Sequence, residues 1–474
     1  MTSSWHLVAS HLLSILGFGM ALLLAADVLR NRRAPGTTFA WLLVIALVPY
    51  LGVPLYLIFG GRKLARMAGK KGRLYDDPSR DADGRRAGAP YPAARAGASE
   101  MERMLCSFGA PPVREGNRVA LLVTGEAAYA AIMEAIDGAT RRIEIATLIL
   151  SGDEVGGAIV DRLIAKAEAG VEVRVLIDAL FAFESSRPKL AALERAGGKV
   201  AWFMPLLHVP FRGHANLRLH RKMVLADDRV AVVGGMNLAR EYMGPTPLPG
   251  RWVDLSMTLE GPAVDDLAAV FRSDWAFASG ERLSALPVRE GGAGEGEGEA
   301  LQIVASGPDA ASDRIYDALL TGIFRAEKRL YVATPYFVPD DALDRALALA
   351  ARRGVDVRVL VPARSNHRLA DVAGASHLRL LASAGAKVQL YLPGMLHAKV
   401  VILDDDLALV GSANLDMRSL FLDYEVALAC TSRPRVAELA RWFEDLSRDT
   451  GTLAPAGRGR AALESVAWLV GPLV

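Results

Sequence analysis

Two stretches of this chain repeat one arrangement of chemically capable residues: His220-x-Lys222-x4-Asp227 and His397-x-Lys399-x4-Asp404. Each is followed at the same distance by a small-residue turn ending in Asn, Gly234-Gly235-Met236-Asn237 and Gly411-Ser412-Ala413-Asn414. The spacing from His220 to His397 is 177 residues, and that from Asn237 to Asn414 is also 177. Two such motifs with matching tails predict one site built from two related halves. A lone His in a strand is usually a satisfied core or surface residue, and a lone Lys is usually solvated. Duplication at identical spacing, in copies that differ elsewhere, favours function for all four.

The run His397-Ala-Lys399-Val-Val-Ile-Leu403 is β-branched and apolar enough to read as a strand. Alternation then points His397 and Lys399 to one face. Asp404 opens the turn to the next strand, Leu407–Val410, and Asp227 repeats this in the first copy. The aspartates count with the site as motif residues, but holding the turn or an electrostatic network suits them better than touching substrate.

Two His and two Lys converging without carboxylate clusters or cysteine ligands suit exchange at a phosphodiester. One imidazole attacks phosphorus, and the other protonates the departing alcohol and then deprotonates the incoming one. The lysines, with Asn237, Asn414 and Ser412, stabilise charge building on the phosphate oxygens. Each imidazole needs a partner on its second nitrogen to fix its tautomer. Asp254 and Glu425, in or beside the strands that follow, are the candidates. No metal site and no cofactor is expected. His208, His214 and His220 recur every six residues, but two of them fall in a loop insertion.

Positioning these groups requires a duplicated scaffold, and the sequence carries one. Arg142–Thr147 matches Arg329–Thr334, Val171–Ile177 matches Val355–Val361, and Ala196–Val200 matches Ala384–Val388. The first copy holds eleven extra residues around Pro205–Asn216, a loop beside the site. Helix-like stretches (Ala158–Ala169, Asp341–Arg353) alternate with short Val/Ile/Leu runs. The predicted fold class is therefore α/β, two duplicated domains with a mixed sheet flanked by helices.

The expected organisation is membrane segments within 1–61 (about 7–26 and 39–60), a linker at 62–115, and a first domain at 116–288. A Gly/Glu linker follows at 289–300, then a second domain at 301–450 and a tail with an apolar end at 451–474. The two uncharged runs are each long enough to cross about 30 Å of hydrocarbon as a helix. Met1–His6 lacks the basic residues of a signal peptide. The basic cluster Arg62–Arg73 argues for catalytic domains in the cytoplasm. Pro49 and Pro54 leave open whether the second run spans or re-enters.

The 474 residues hold 55 Lys+Arg against 53 Asp+Glu, a net charge of +2, so no bulk electrostatic grip on nucleic acid is indicated. The two cysteines, Cys106 and Cys430, are far apart and suggest neither a disulfide framework nor a zinc site.

These residues resemble the phospholipase D superfamily, whose signature is two H-x-K-x4-D motifs. The likeness tightens to the bacterial, membrane-anchored cardiolipin synthases through Thr334-Pro-Tyr-Phe-Val-Pro-Asp340, Leu396–Lys399, Val410–Ser419, Val233–Asn237, the two N-terminal apolar runs and the apolar end Val466–Val474. It covers nearly the whole chain, with the linkers excepted. The resemblance implies transfer of a phosphatidyl group from one phosphatidylglycerol to another with release of glycerol, phosphatidylethanolamine being a further candidate substrate. It also implies a lipid bilayer of the inner membrane as partner, His220 as nucleophile and His397 as acid/base. Leu219, Asp423 and the segment Ala375–His377 depart from the family pattern and bear on head-group choice. Hydrolysis or phosphatidylserine synthesis at the same site are the rival readings, and nuclease activity a weaker one. The unrelated CDP-alcohol phosphotransferase type is excluded, because Asp137-Gly138 lacks the spaced aspartates that should follow.

Overall fold

The computed structural model describes residues 97–204, 217–283, 298–310 and 312–457 continuously, together with 35–48 and isolated positions elsewhere. The expected loop Pro205–Asn216, most of the 7–26 run, most of the 62–115 and 289–300 linkers and the apolar end lie outside the described residues.

The chain divides into two compact units. The smaller contains the helix Pro35–Leu47, which has no charged residue in its first or last turn. Ile45 and Tyr56 are buried there, and the Trp41 and Tyr56 rings meet edge to face at 5.3 Å. Among the described residues no helix is long and apolar enough to cross a membrane.

The larger unit carries both copies. The first contributes β1 (Arg114–Leu122), β2 (Arg142–Thr147), β3 (Glu172–Asp178), β4 (Lys199–Phe203), β5 (Met223–Ala226), β6 (Val230–Gly234) and β7 (Ser256–Glu260). The second contributes β8 (Glu299–Ser306), β9 (Arg329–Ala333), β10 (Phe337–Val338), β11 (Asp356–Pro362), β12 (Lys387–Tyr391), β13 (Val400–Leu403), β14 (Leu407–Gly411), β15 (Leu415–Asp416), β16 (Glu425–Cys430) and β17 (Thr450–Gly451). Outward from the middle the order is β1-β7-β6-β5-β2-β3-β4 on one side and β8-β16-β14-β13-β9-β11-β12-β17 on the other. The seven strands of the first copy thus recur in the same order in the second. Antiparallel pairing of β1 with β8 fuses them into one sheet of fifteen strands. The copies are two halves of one continuous sheet rather than two separate bodies.

Strands β5, β13 and β14 are buried along their whole length, as their unbroken apolar runs require, and β16 is equally buried although it opens on Glu425. In the first half the helix Glu154–Glu168 starts at Asp153, whose carboxylate accepts the Val155 and Gly156 N–H groups. It lays Val155, Ile159, Val160 and Leu163 into a core with Ile143, Ile145, Val173 and Val175. The helix Asp341–Arg352 does the same in the second half, with Leu343, Leu347 and Ala350 against Leu330, Val357 and Val359.

The expected linker boundaries shift. Residues 100–107 form a helix, capped by Ser99, that buries Met101 and Leu105 in the core of the second half. Strand β1 begins at Arg114 and β8 at Glu299, because these residues supply the seam between the halves.

Candidate active site

Strands β2, β3 and β4 run parallel, and β5 returns antiparallel to β2; β9, β11, β12 and β13 repeat the pattern. Each His-x-Lys segment therefore arrives at the edge where the parallel strands end. The regular ladder starts only at Met223 and Val400, so His220–Lys222 and His397–Lys399 are extended entries rather than strand residues as expected. Their backbone is occupied elsewhere. Leu219 bridges Tyr424 and Leu396 bridges Val253, so each entry pairs with the opposite half.

That exchange fixes the imidazoles. The His220 N–H donates to the Tyr424 carbonyl at 2.9 Å, and the His397 N–H to the Val253 carbonyl at 2.7 Å. The next residue in each partner segment supplies the carboxylate. His220 Nδ1 lies 2.7 Å from Glu425 Oε1, and His397 Nδ1 lies 2.6 Å from Asp254 Oδ2. A carboxylate accepts only, so it draws the ring proton to Nδ1 and leaves Nε2 as the basic, nucleophilic atom. Glu425 and Asp254 each face the histidine of the other half.

Glycine makes the close approach possible. A Cβ on Gly234 would fall 2.5 Å from the Leu255 carbonyl oxygen, and one on Gly411 2.2 Å from that of Val426. At the next position the halves differ. A Cβ on Gly235 would lie 2.3 Å from the Asp254 carboxylate, whereas the Ser412 hydroxyl donates to the longer Glu425.

The Lys222 ammonium donates to the His220 carbonyl at 2.7 Å, and Lys399 Nζ lies 2.6 Å from His397 Nδ1. Burial lowers the Lys222 pKa to about 7 and that of Lys399 to about 8, although Glu425 and Asp254 pull both upward. Burial and the lysine charges hold His397 down at about 3 and His220 well below the usual imidazole value. Burial raises Glu425 to about 7 against the pull of Lys222. Burial and the neighbouring ammonium groups thus favour the neutral form of both rings. Asn237 and Asn414 are buried beside Tyr242 and Asp416, and neither carboxamide oxygen has a hydrogen-bond partner among the described residues.

Asp227 and Asp404 stand at the far ends of β5 and β13. Asp227 accepts the N–H groups of Thr140, Arg141 and Arg142 at 2.7–2.9 Å, and Asp404 those of Glu327, Lys328 and Arg329. Burial works against the Asp227 carboxylate, but these donors outweigh it and lower its pKa to about 2. Both residues have positive φ, 54° and 51°, a conformation that Asp tolerates better than most residues. Their contacts tie each motif turn to the start of the neighbouring strand, β2 in the first half and β9 in the second.

Sequence reasoning missed the walls of the site. Tyr242 and Trp252 pack on the His397 ring with centroids 5.1 and 5.3 Å away. By sequence correspondence the equivalent positions in the second half are Ser419 and Asp423. Asp423 accepts the Arg218 N–H at 3.2 Å and pairs with Arg418 at 3.4 Å. Aligning Trp252-x-Asp254 with Asp423-x-Glu425 is the signal that would have exposed this asymmetry. Beneath His220, Arg221 is fully buried and forks onto Asp274 at 2.6–2.7 Å, while its second-half counterpart is Ala398. Among the described residues no cluster of His, Cys, Asp and Glu could hold a metal ion.

Two crosswise-oriented imidazoles beside two buried lysines can bind a phosphodiester, one ring attacking it while the other carries a proton between leaving and entering oxygens. Comparison with known proteins points the same way. Residues 132–275 and 319–447 match the family model described as cardiolipin synthase, PLD-like domain, and residues 19–61 match that described as phospholipase D-nuclease N-terminal. The chain is 34% identical to cardiolipin synthase 1 of Bacillus anthracis over 431 residues, 88% of this chain and 84% of that one. It is 35% identical to the cardiolipin synthase of Geobacillus thermodenitrificans, over 84% of this chain and 80% of that one. In fold it is similar to the crystal structure of a phosphatidylserine synthase from Haemophilus influenzae, with a TM-score of 0.61 and 15% identity, covering 79% of this chain and all of that one.

Proposed function

This chain belongs to the phospholipase D-like cardiolipin synthases, which are phosphatidyltransferases, and on that premise we propose that His220 and His397 divide one two-step exchange between two phosphatidylglycerol molecules. His220 Nε2 attacks the phosphorus of the first lipid while His397, carrying a second proton on Nε2 as the imidazolium that the Asp254 carboxylate and the bound phosphate anion favour, gives that proton to the departing glycerol oxygen. The phosphatidyl group is then held on His220. The free glycerol hydroxyl of the second lipid loses its proton to His397 and attacks the same phosphorus, breaking the P–N bond and yielding cardiolipin. Lys222, Lys399, Asn237 and Asn414 take the charge on the non-bridging oxygens. Bond types made and broken are alike, so the exchange needs no nucleotide and runs in both directions.

The observation that carries the reading is the crossed pairing, His220 with Glu425 and His397 with Asp254. It gives both rings the Nδ1-protonated tautomer in one buried site. Rapid acid-free quenching of the enzyme with phosphate-labelled phosphatidylglycerol, followed by peptide mapping, tests it. Label on the His220 peptide is expected; absence of any protein-bound phosphate during turnover would remove the covalent step.

The proposal extends to location. The runs 7–26 and 39–60 enter a bacterial inner membrane, and the basic residues from Arg62 to Arg73 hold the catalytic unit on the cytoplasmic side. The uncharged composition of the runs and the family match over residues 19–61 support this.

A further inference from the structure

The run Thr334-Pro-Tyr-Phe-Val-Pro-Asp340 leaves the sheet beside the site. Ala333, the last residue of β9, pairs with Val400, the residue after Lys399. The Thr334 hydroxyl then fastens the run, donating to the Tyr336 carbonyl at 2.8 Å and accepting the Leu415 N–H at 3.1 Å. Strands β10 and β15 pair in parallel, Phe337 with Leu415 and Val338 with Asp416. Phe337 and Leu415 face the core of the second half. Alternation therefore sets Tyr336 and Asn414, each one residue ahead of that pair, on the face of Asp416. Asn414 and Asp416 are hydrogen-bonded to each other there.

Tyr336 is half-buried, and its hydroxyl donates to Asn366 Oδ1 at 2.5 Å. Asn366 is exposed, yet its loop is fastened from within. Asp371 accepts the Ser365 N–H at 3.1 Å, Ser365 Oγ the His367 N–H at 2.9 Å, and His367 Nδ1 the Ala370 N–H at 3.3 Å. The bond to Asn366 uses the tyrosine proton and the amide oxygen. What it offers a ligand is a lone pair on the Tyr336 oxygen and the N–H donors of the carboxamide, and a hydroxyl group can donate to one and accept from the other at once. Burial and the Asp416 carboxylate raise the Tyr336 pKa, so the phenol stays protonated and this bond keeps its direction. Burial chiefly, then Asp254 and Tyr336, raise the pKa of Tyr242, whose ring packs on His397, so the two phenols lie within electrostatic reach. The Tyr336 ring also lines an open pocket of about 540 Å³ with Ala370, Asp371, Gly374 and Arg460, room enough for a small polar ligand. By sequence correspondence the first half has Ile149 where the second has Tyr336.

We propose that Tyr336 and Asn366 bind the second hydroxyl of the exchanging alcohol and so select a vicinal diol over a simple alcohol. The inference rests on the phosphatidyl-transfer reading and adds to it the residues that recognise the acceptor. In both steps the carbon beside the reacting oxygen bears a hydroxyl, on the glycerol that departs and on the phosphatidylglycerol that enters. That hydroxyl donates to the Tyr336 oxygen and accepts from the Asn366 N–H, while its neighbour exchanges a proton with His397.

The purified full chain is given phosphatidylglycerol as donor and an equal mixture of propylene glycol and n-propanol as acceptors. Either alcohol breaks the P–N bond, forms a P–O bond and passes its proton to His397, so the two lipid products differ by the vicinal hydroxyl alone. Mass spectrometry reads their ratio. The unsubstituted chain should favour the diol, and Tyr336→Phe and Asn366→Ala should each reduce the ratio about three- to tenfold, the worth of an ordinary net hydrogen bond. A folding defect lowers both products together, so an unchanged ratio in either variant overturns the proposal. Asn366 lies in an exposed loop, and its variant supplies the ratio even where Tyr336→Phe folds poorly. Equal capture of both alcohols by the unsubstituted chain overturns the diol site and leaves transfer standing. No alcohol product and no cardiolipin would remove the transfer reading and the diol site with it.

Discussion

His220 and His397 each find their carboxylate in the half of the chain that did not supply them, so the acids should matter almost as much as the rings. Glu425→Gln and Asp254→Asn keep the shape but lose the charge that fixes the tautomer. Each should lower kcat by about 10²-fold or more, within the usual range for disabling a general acid or base, with little change in KM. Steady-state kinetics on vesicle substrate checks this. His220→Ala and His397→Ala should each abolish turnover, and their double variant should be no worse than either, as for residues acting as one unit. The aromatic wall over His397 predicts a change of product rather than of rate alone. Trp252→Ala admits water to the ring that activates the acceptor, so the ratio of phosphatidic acid to cardiolipin, read by chromatography, should rise. The lysines predict a pH effect of definite sign. An ammonium loses its proton as pH rises through its pKa, which burial lowers to about 7 for Lys222 and about 8 for Lys399. The affinity for an anionic lipid should fall over that window, so kcat/KM should decline from pH 7 to 9. A bound phosphate favours the charged form, so kcat should hold to higher pH. The motif residues stood out in the sequence because duplication marked them, and Asp254 and Glu425 were named only as carboxylates in or beside the strands that follow. The crossing was not legible, because spacing along a chain does not say which strand lies beside which. Tyr242 and Trp252 were invisible because an aromatic residue near a motif is usually core.

At the scale of elements, the motif aspartates are fasteners for the turn between β5 and β6 and between β13 and β14. Replacing Asp404 by Ala removes the acceptor of three backbone N–H groups, those of Glu327 and Lys328 open to water, and should cost about 0.5–1.5 kcal/mol. The midpoint of thermal unfolding should drop while kcat of the folded fraction stays near normal. A large kcat loss without loss of stability would place Asp404 in the chemistry instead. The strands and helices around the site were readable because alternation and capping are local: Asp153 and Asp340 each head the helix that follows them. The His-x-Lys segments read as strand because their composition continues into Val400–Leu403. They are instead held extended by one bridge each to the opposite half, a long-range contact with no local signature. The helix Glu100–Ser107 was read as linker because its apolar residues, Met101 and Leu105, are few and its partner core lies some two hundred residues further on.

For the molecule as a whole, the duplication forecast two domains sharing one site, and pairing of β1 with β8 adds that their strands form one continuous sheet. The sequence could not show this, since an edge strand and a seam strand have the same composition. Residues 97–283 expressed alone should be inactive, because His220 then lacks Glu425 and Asp254 lacks His397. The proposed cytoplasmic position of the catalytic unit is checked by a cysteine at Gly294, which should react with an impermeant reagent only after the inner membrane is opened. Labelling in intact spheroplasts would reverse it. The whole account turns on one lipid donating to another in a site that excludes water. The most direct measurement is the product balance of purified enzyme supplied with phosphatidylglycerol alone. Cardiolipin and glycerol should form in equal amounts with little phosphatidic acid, and added glycerol should drive the reaction back. Phosphatidic acid as the main product, or cardiolipin only when a nucleotide-activated lipid is added, would contradict it.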